Sequence, residues 1–140
     1  MHAAGLMGQR KTSKNIQAGS LQYALRPIRL CQHFRKQKDS GGWAIEKQYV
    51  RAASLIGANI EEAQAAESHN DFVRKPEAAR KETEESLYWL ALLEKSELAS
   101  ARRIAHLIKE RRGLFNIITA IILQTGQNAW SGGAFVTRHS

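Results

Sequence analysis

Between Ile45 and Ala63 the residues Ile45, Tyr49, Ala52, Ile56, Asn59 and Ala63 follow one another by four, three, four, three and four. That rhythm keeps them on one face of a helix, because side chains three and four apart stack on the same side. The stretch from Arg51 to Leu93 continues through a polar corner at Ser68, His69 and Asn70 into a second segment with the same spacing. Its repeating positions are Phe72, Ala79, Thr83, Ser86, Leu90 and Leu93. Two consecutive helices with apolar stripes must bury those stripes against something, so the remaining segments are placed by what they cover.

Ser20 is a plausible cap for a first helix reaching about Lys38. Leu21, Ala24, Leu25, Ile28 and Cys31 gather on one side of its wheel, and Arg26, Arg29, His33 and Lys36 on the other. This predicts a core-facing apolar side and a basic outer stripe, with Pro27 bending the helix or marking its first turn. Asp39, Ser40, Gly41 and Gly42 predict a turn, followed by a helix from about Trp43 to Glu67. Small residues at Ala52, Ala53, Ser54, Gly57 and Ala58 suit close approach of a neighbouring helix. The third helix is expected from Asn70 or Asp71 to about Glu97, with a possible kink at Pro76. Ser100 caps a fourth helix that stops near Gln124. Its Leu107, Ile108, Leu114, Phe115, Ile117, Ile118, Ile121 and Ile122 span an arc of roughly half the wheel, broader than one core requires. Leu114, Ile117 and Ile121, together with Trp89 on the third helix, are therefore the expected contacts with a second subunit.

At 140 residues the chain is read as one domain: a flexible basic arm at 1–19, the helices at 20–126 and a flexible tail at 127–140. The net charge is +8, and its location matters more than its size. Eight cations precede the first acid, Asp39, whereas thirteen cations and thirteen acids follow it. Arg10, Lys11, Lys14, Arg26, Arg29 and Lys36 are the candidate contacts to a nucleic-acid backbone, the alternative being a merely solvated face. Arg102, Arg103, Arg111 and Arg112 could extend that surface. Cys31 is the only cysteine, which fits a reducing cytoplasm and offers no zinc site of the usual spacing. The aliphatic cluster at Ile117 to Leu123 is too short to cross a bilayer, so no membrane association is expected.

Asn59, Glu62, Lys81, Glu82 and Glu85 could meet between the second and third helices, either as a polar network fixing register or as a site. A carboxylate-bridged di-iron centre would need Glu-x-x-His motifs. None of His2, His33, His69, His106 and His139 lies three residues after a glutamate. Phosphate-loop, nucleophile-elbow and Cys–His patterns are also missing, so no catalytic residue, metal or cofactor is expected and the chain is read as a non-enzyme. Tyr88 and Trp89 stand in an aliphatic and acidic context rather than interleaved with cations, which favours packing over base stacking.

The same central stretch carries a resemblance. Ala-Ser-x-Ile-x-Ala-Asn-Ile-x-Glu-Ala at Ala53 to Ala63, Asp71-Phe72, Lys75, the Ala79 to Glu82 run, Glu85-Ser86 and Tyr88-Trp89-Leu90 resemble the four-helix bundle protein family. That family was first noticed in intervening sequences of bacterial large-subunit ribosomal RNA genes, and the accessory variability determinant of diversity-generating retroelements is a relative. Leu55 stands where the family has a small or β-branched residue, and Pro76 where it has leucine. The resemblance implies an all-α, antiparallel up-down-up-down four-helix bundle and a homopentameric assembly. It also implies possible partners in RNA, DNA or a protein such as a reverse transcriptase. A protein-binding scaffold without nucleic-acid contact is the alternative function.

Overall fold

The computed structural model describes residues 16–29 and 40–127, and these form four helices. We label the helix over 16–29 α1, Ser40–Gln64 α2, His69–Lys95 α3 and Ala101–Gln127 α4. Among the described residues there is no strand. Cross-helix contacts give the topology. Gln17 on α1 donates to Glu61 on α2 at 3.0 Å while Tyr23 meets Tyr49, so the two helices run in opposite directions. Lys75 pairs with Glu62 at 2.6 Å, and Glu82 and Glu85 further along α3 pair with Arg51, so α2 and α3 are antiparallel as well. On the other side of α1, a Cβ added at Gly19 would lie 3.5 Å from Leu114, and Arg26 pairs with Glu110 at 2.7 Å. The bundle is thus an antiparallel up-down-up-down arrangement in which each helix has two neighbours, with α1 diagonal to α3 and α2 to α4.

The α2 and α3 stripes fall where the spacing predicts. Tyr49, Ala52, Ile56 and Ala63 are buried, as are Ala79, Thr83, Ser86, Leu90 and Leu93. Ser68 caps α3 by accepting from the Asp71 amide at 3.2 Å, and α3 continues as one helix through the buried Pro76. Its far end is closed by the Leu98 amide donating to the Leu93 carbonyl at 3.2 Å and the Glu97 amide to Glu94 at 3.0 Å. This places Glu97 at φ 58°, in the left-handed position that glycine normally takes. Leu98 packs on the core beside this turn, and Ser100 then caps α4 by accepting from the Arg103 amide at 3.2 Å.

Three expectations are corrected. Helix α1 already includes residue 16, and Ser20 is buried within it, its hydroxyl bonded to the Ile16 carbonyl, so Ser20 is no cap. Gly41 and Gly42 belong to the first turn of α2 rather than to a separate turn. The phase of α1 also differs: Ile16, Ser20, Tyr23 and Pro27 face the core at steps of four, three and four, while Leu21, Leu25 and Ile28 are exposed. Two local causes select that phase. Ser20 lies against α2 so closely that a Cβ on Gly57 would come within 3.3 Å of the serine Cβ, and Tyr23 finds a hydroxyl partner inside. Cys31, His33 and Lys36, placed on this helix by the sequence, lie outside the described residues.

The broad apolar arc of α4 is mostly consumed within the chain. Leu107, Leu114 and Ile118 are buried, and Ile108, Ile121 and Ile122 are partly buried against the core. Since α4 packs on both α1 and α3, two neighbours account for the width that one core did not. Leu114 is therefore an interior residue rather than an outer subunit contact; Ile117 and Leu123 keep substantial exposure.

Candidate functional site

The polar residues expected between α2 and α3 are held in separate places. Asn59 donates to the Leu55 carbonyl of its own helix at 2.8 Å, Glu62 is exposed and joined to Lys75, and Lys81 is exposed. Glu82 and Glu85 do meet, sharing Arg51, which Gln48 also orients at 3.1 Å. Burial first, and the adjacent Glu85 second, push the Glu82 carboxyl upward, with Arg51 opposing them. One guanidinium shared by this carboxylate pair joins α2 to α3.

The polar centre of the bundle is elsewhere, and each helix contributes to it. From α2 the Tyr49 hydroxyl donates to the Tyr23 hydroxyl of α1 at 2.8 Å, and the rings meet edge to face at 6.2 Å. Ser86 of α3 lies beside the Tyr23 hydroxyl, outside strict hydrogen-bond geometry yet near enough to favour its ionised form. From α4, Arg111 enters with only 7% exposure, donating to the Thr83 carbonyl at 3.3 Å and lying 5.8 Å from the centre of the Phe115 ring. Glu46 is fully buried one turn before Tyr49 and is itself engaged by neighbouring groups. Burial pushes the Tyr23 hydroxyl up to about 12, against the pull of Tyr49, Ser86 and Arg111. It pushes Tyr49 up further, helped by Tyr23, Glu110 and Glu46. Both phenols stay protonated at neutral pH and act as hydrogen-bonding groups.

One such layer, with a polar side chain from each of four helices, fixes how the helices slide and rotate against one another. Arg111, which the sequence offers as one of the cations that could extend a basic surface, is instead held inside the bundle. Sequence patterning also passes over Tyr23 and Glu46. The signal that finds them is the four-three-four spacing of Ile16, Ser20, Tyr23 and Pro27, and the position of Glu46 one turn ahead of Tyr49 on the α2 seam.

The second feature is a charged face. Helices α1 and α4, which are neighbours, hold seven cations and one acid, while α2 and α3 hold seven cations and nine acids. The single acid, Glu110, is taken up by Arg26, and Arg111 is buried. Arg26, Arg29, Arg102, Arg103, Lys109 and Arg112 are all exposed. Arg26 and Arg29 were expected on a basic surface, and antiparallel packing of α1 on α4 adds the α4 cations to it. Arg10, Lys11, Lys14 and Lys36, the other predicted contacts, lie outside the described residues. Of the expected subunit contacts, Ile117 is exposed, Ile121 is half-buried, and Trp89 is partly buried with its ring edge to face with Tyr88 at 5.0 Å. Among the described residues there is no cluster of three potential metal-ligating side chains, and no helix is long and apolar enough to cross a membrane.

No curated protein matches the chain. A crystal structure of a protein of unknown function from the S23 ribosomal protein family of Bacteroides thetaiotaomicron superposes with a TM-score of 0.75 at 30% identity. The match covers 80% of this chain and 98% of that one. Residues 13–120 match the model of the 23S rRNA-intervening sequence protein, a span that takes in α1, α2, α3 and most of α4, with both features described above. The chain belongs to the 23S rRNA-intervening sequence protein family.

Proposed function

We propose that this chain is a non-enzymatic, homo-oligomeric accessory protein that binds nucleic-acid backbone through the face formed by α1 and α4. The observation that carries this reading is the separation of charge across the bundle, seven cations to one acid on that side against seven to nine on the other. Phosphates are the commonest polyanion that such a surface meets, and contact with them needs positive charge rather than a pocket or stacking aromatics. The start of α4 adds support. Arg102 and Arg103 stand in its first turn, where no acid offsets the positive end of the helix dipole. Like charge at that end costs the helix roughly 0.3–1 kcal/mol per residue, a cost that a bound phosphate would remove. The relatives linked to structured RNA and to a reverse transcriptase point the same way, and the family resemblance favours a pentameric ring. Repetition of the basic face around such a ring would turn weak contacts into avidity. A lone cysteine suits the cytoplasm as the place of action.

The direct test is a titration of labelled RNA and DNA against salt. Affinity should fall steeply as salt rises, with little dependence on base sequence, and deleting residues 1–15 should flatten the slope without unfolding the bundle. No binding at low salt would reject the reading. The competing scaffold reading is favoured by one observation, the exposed aliphatic side chains on α1, which suit protein contact better than phosphate. A stoichiometric protein partner whose capture survives nuclease treatment would support it.

A further inference from the structure

The basic face is built as two rows rather than one patch. On α4, Arg102 and Lys109 are seven residues apart, which puts them on one line, and both are exposed. They stand about 10 Å apart along that line. Arg103 and Glu110 share the next line round, and Glu110, reaching Arg26 at 2.7 Å, shows that this line borders α1. On α1, Arg26 and Arg29 are exposed, and antiparallel packing carries Arg29 from the level of Glu110 toward Arg103. The axes of packed helices lie about 8–10 Å apart, so the α1 cations and the α4 cations form parallel rows at that separation. Arg103 and one acid, Glu110, occupy the seam between them. Among the described residues of α1 and α4 the only aromatic side chains are Tyr23, which is buried, and Phe115, which is partly buried with the Arg111 guanidinium over its ring.

We propose that this face grips double-stranded nucleic acid across its two backbones, and that the Arg26–Glu110 ion pair in the seam holds its affinity down. The proposal rests on the backbone-binding reading above and names the class of nucleic acid. Proteins that hold single strands stack successive bases on exposed aromatic rings. Without such a ring on the described part of this face, a single strand is held by its phosphates alone and follows one row. A duplex offers two phosphate rows and one charge per about 1.7 Å of its axis, so both rows of cations find partners together. Its bases are already stacked inside, so the missing rings cost it nothing. A B-form major groove, about 12 Å wide, admits a single helix, whereas α4 is flanked by α1 and α3. The bundle therefore rests on the backbones, and contact of that kind follows the shape and charge of a duplex rather than its base sequence. Glu110 is the one acid among the described residues of α1 and α4. It occupies Arg26 and sets a carboxylate where a phosphate would approach, a like charge that opposes the contact. The Arg26 side chain is 51% exposed against 25% for Glu110, so the cation is the outer partner and is placed to exchange the carboxylate for a phosphate.

The test uses the full chain and fluorescence anisotropy across a salt series. The probes are an RNA duplex of about 16 base pairs, a DNA duplex of the same sequence, and an unstructured single strand with as many phosphates as either duplex. Both duplexes should bind at least about tenfold more tightly than the single strand. Arg29→Ala on one row and Lys109→Ala on the other should each weaken duplex binding more than single-strand binding. Glu110→Gln should tighten duplex binding about threefold to tenfold and steepen the salt slope by about one unit, as one further phosphate contact requires. Glu94→Gln on α3 makes the same change in net charge at an exposed site away from the seam and should leave duplex affinity within about twofold. A single strand that binds as tightly as the duplexes overturns the duplex assignment and leaves the backbone-binding reading standing. Row substitutions that weaken all three probes equally also overturn it. Equal effects of Glu110→Gln and Glu94→Gln overturn the role of the ion pair. Absence of binding to all three probes at low salt overturns both the proposal and the reading on which it rests.

Discussion

Removing the two buried tyrosine hydroxyls, singly and together, tests the central polar layer. Tyr49→Phe deletes the donor of the 2.8 Å bond and leaves the Tyr23 hydroxyl with Ser86 beside it and Arg111 near it. A net loss of about 1–2 kcal/mol is expected, one buried hydrogen bond plus partial compensation. Tyr23→Phe is the harsher change, because the Tyr49 hydroxyl proton loses its acceptor inside a closed core. An unsatisfied buried group brings the cost to about 2–3 kcal/mol. In the double variant neither hydroxyl remains to be satisfied and the two rings keep their edge-to-face contact. The double variant should therefore be about 1–2 kcal/mol less destabilised than the sum of the singles. The assay is urea denaturation followed by helical circular dichroism, at one fixed protein concentration because assembly shifts apparent stability. Strict additivity, or singles that cost nothing, would refute the claim that the hydroxyls form a coupled layer.

Other substitutions probe the local geometry. Glu97→Gly should stabilise the chain by about 0.5–1 kcal/mol, because glycine occupies φ 58° without steric cost; a loss on thermal or urea melting would count against that turn. Gly57→Val should cost about 1–3 kcal/mol by pressing on Ser20, whereas Gly113→Ala, where an added Cβ meets nothing within 4 Å, should gain about 0.5–1 kcal/mol. Equal effects at the two glycines would remove the close α1–α2 approach from the account. Alkaline unfolding should begin as pH passes 10. The unfolded chain then ionises Tyr23 while the folded chain holds its proton until about 12, so stability intact below pH 10 falls by on the order of 2 kcal/mol across that window. Phenolate absorbance in a Tyr88→Phe background, rising well before the helices melt, would contradict this.

Legibility differed sharply between helices, for physical reasons. The α2 and α3 seams could be read because their buried positions are aliphatic or small and keep their spacing without interruption, as at Tyr49, Ala52, Ile56, Ala79, Leu90 and Leu93. Helix α1 misled because its buried positions include a serine, a tyrosine and a proline, residues that periodicity arguments place at ends or outside, while its leucines face outward. The end of α3 was legible, expected at about Glu97 and found at Lys95, but the left-handed closing turn at Glu97 was not, since such a turn is looked for at glycine. Arg111 was missed for a further reason: an arginine among Arg102, Arg103 and Arg112 is counted with the surface charge, and only the position of Thr83 across the core shows where its guanidinium is held. The basic face was half legible, because composition locates cations along the chain but only the α1–α4 packing shows that those of two distant segments share one side.

The basic face is the central claim, and matched charge reversals test it most directly. One variant carries Arg102→Glu, Arg103→Glu and Lys109→Glu on α4, and a control of identical net charge carries Arg74→Glu, Lys81→Glu and Lys95→Glu on α3. Both are measured against a labelled RNA hairpin by fluorescence anisotropy across a salt series. The account predicts that the α4 variant loses at least roughly tenfold in affinity, with a salt slope shallower by about 2–3 units, while the α3 control weakens far less. Equal losses in the two variants would mean that only net charge matters, and binding that survives the α4 reversal would place the nucleic-acid contact elsewhere.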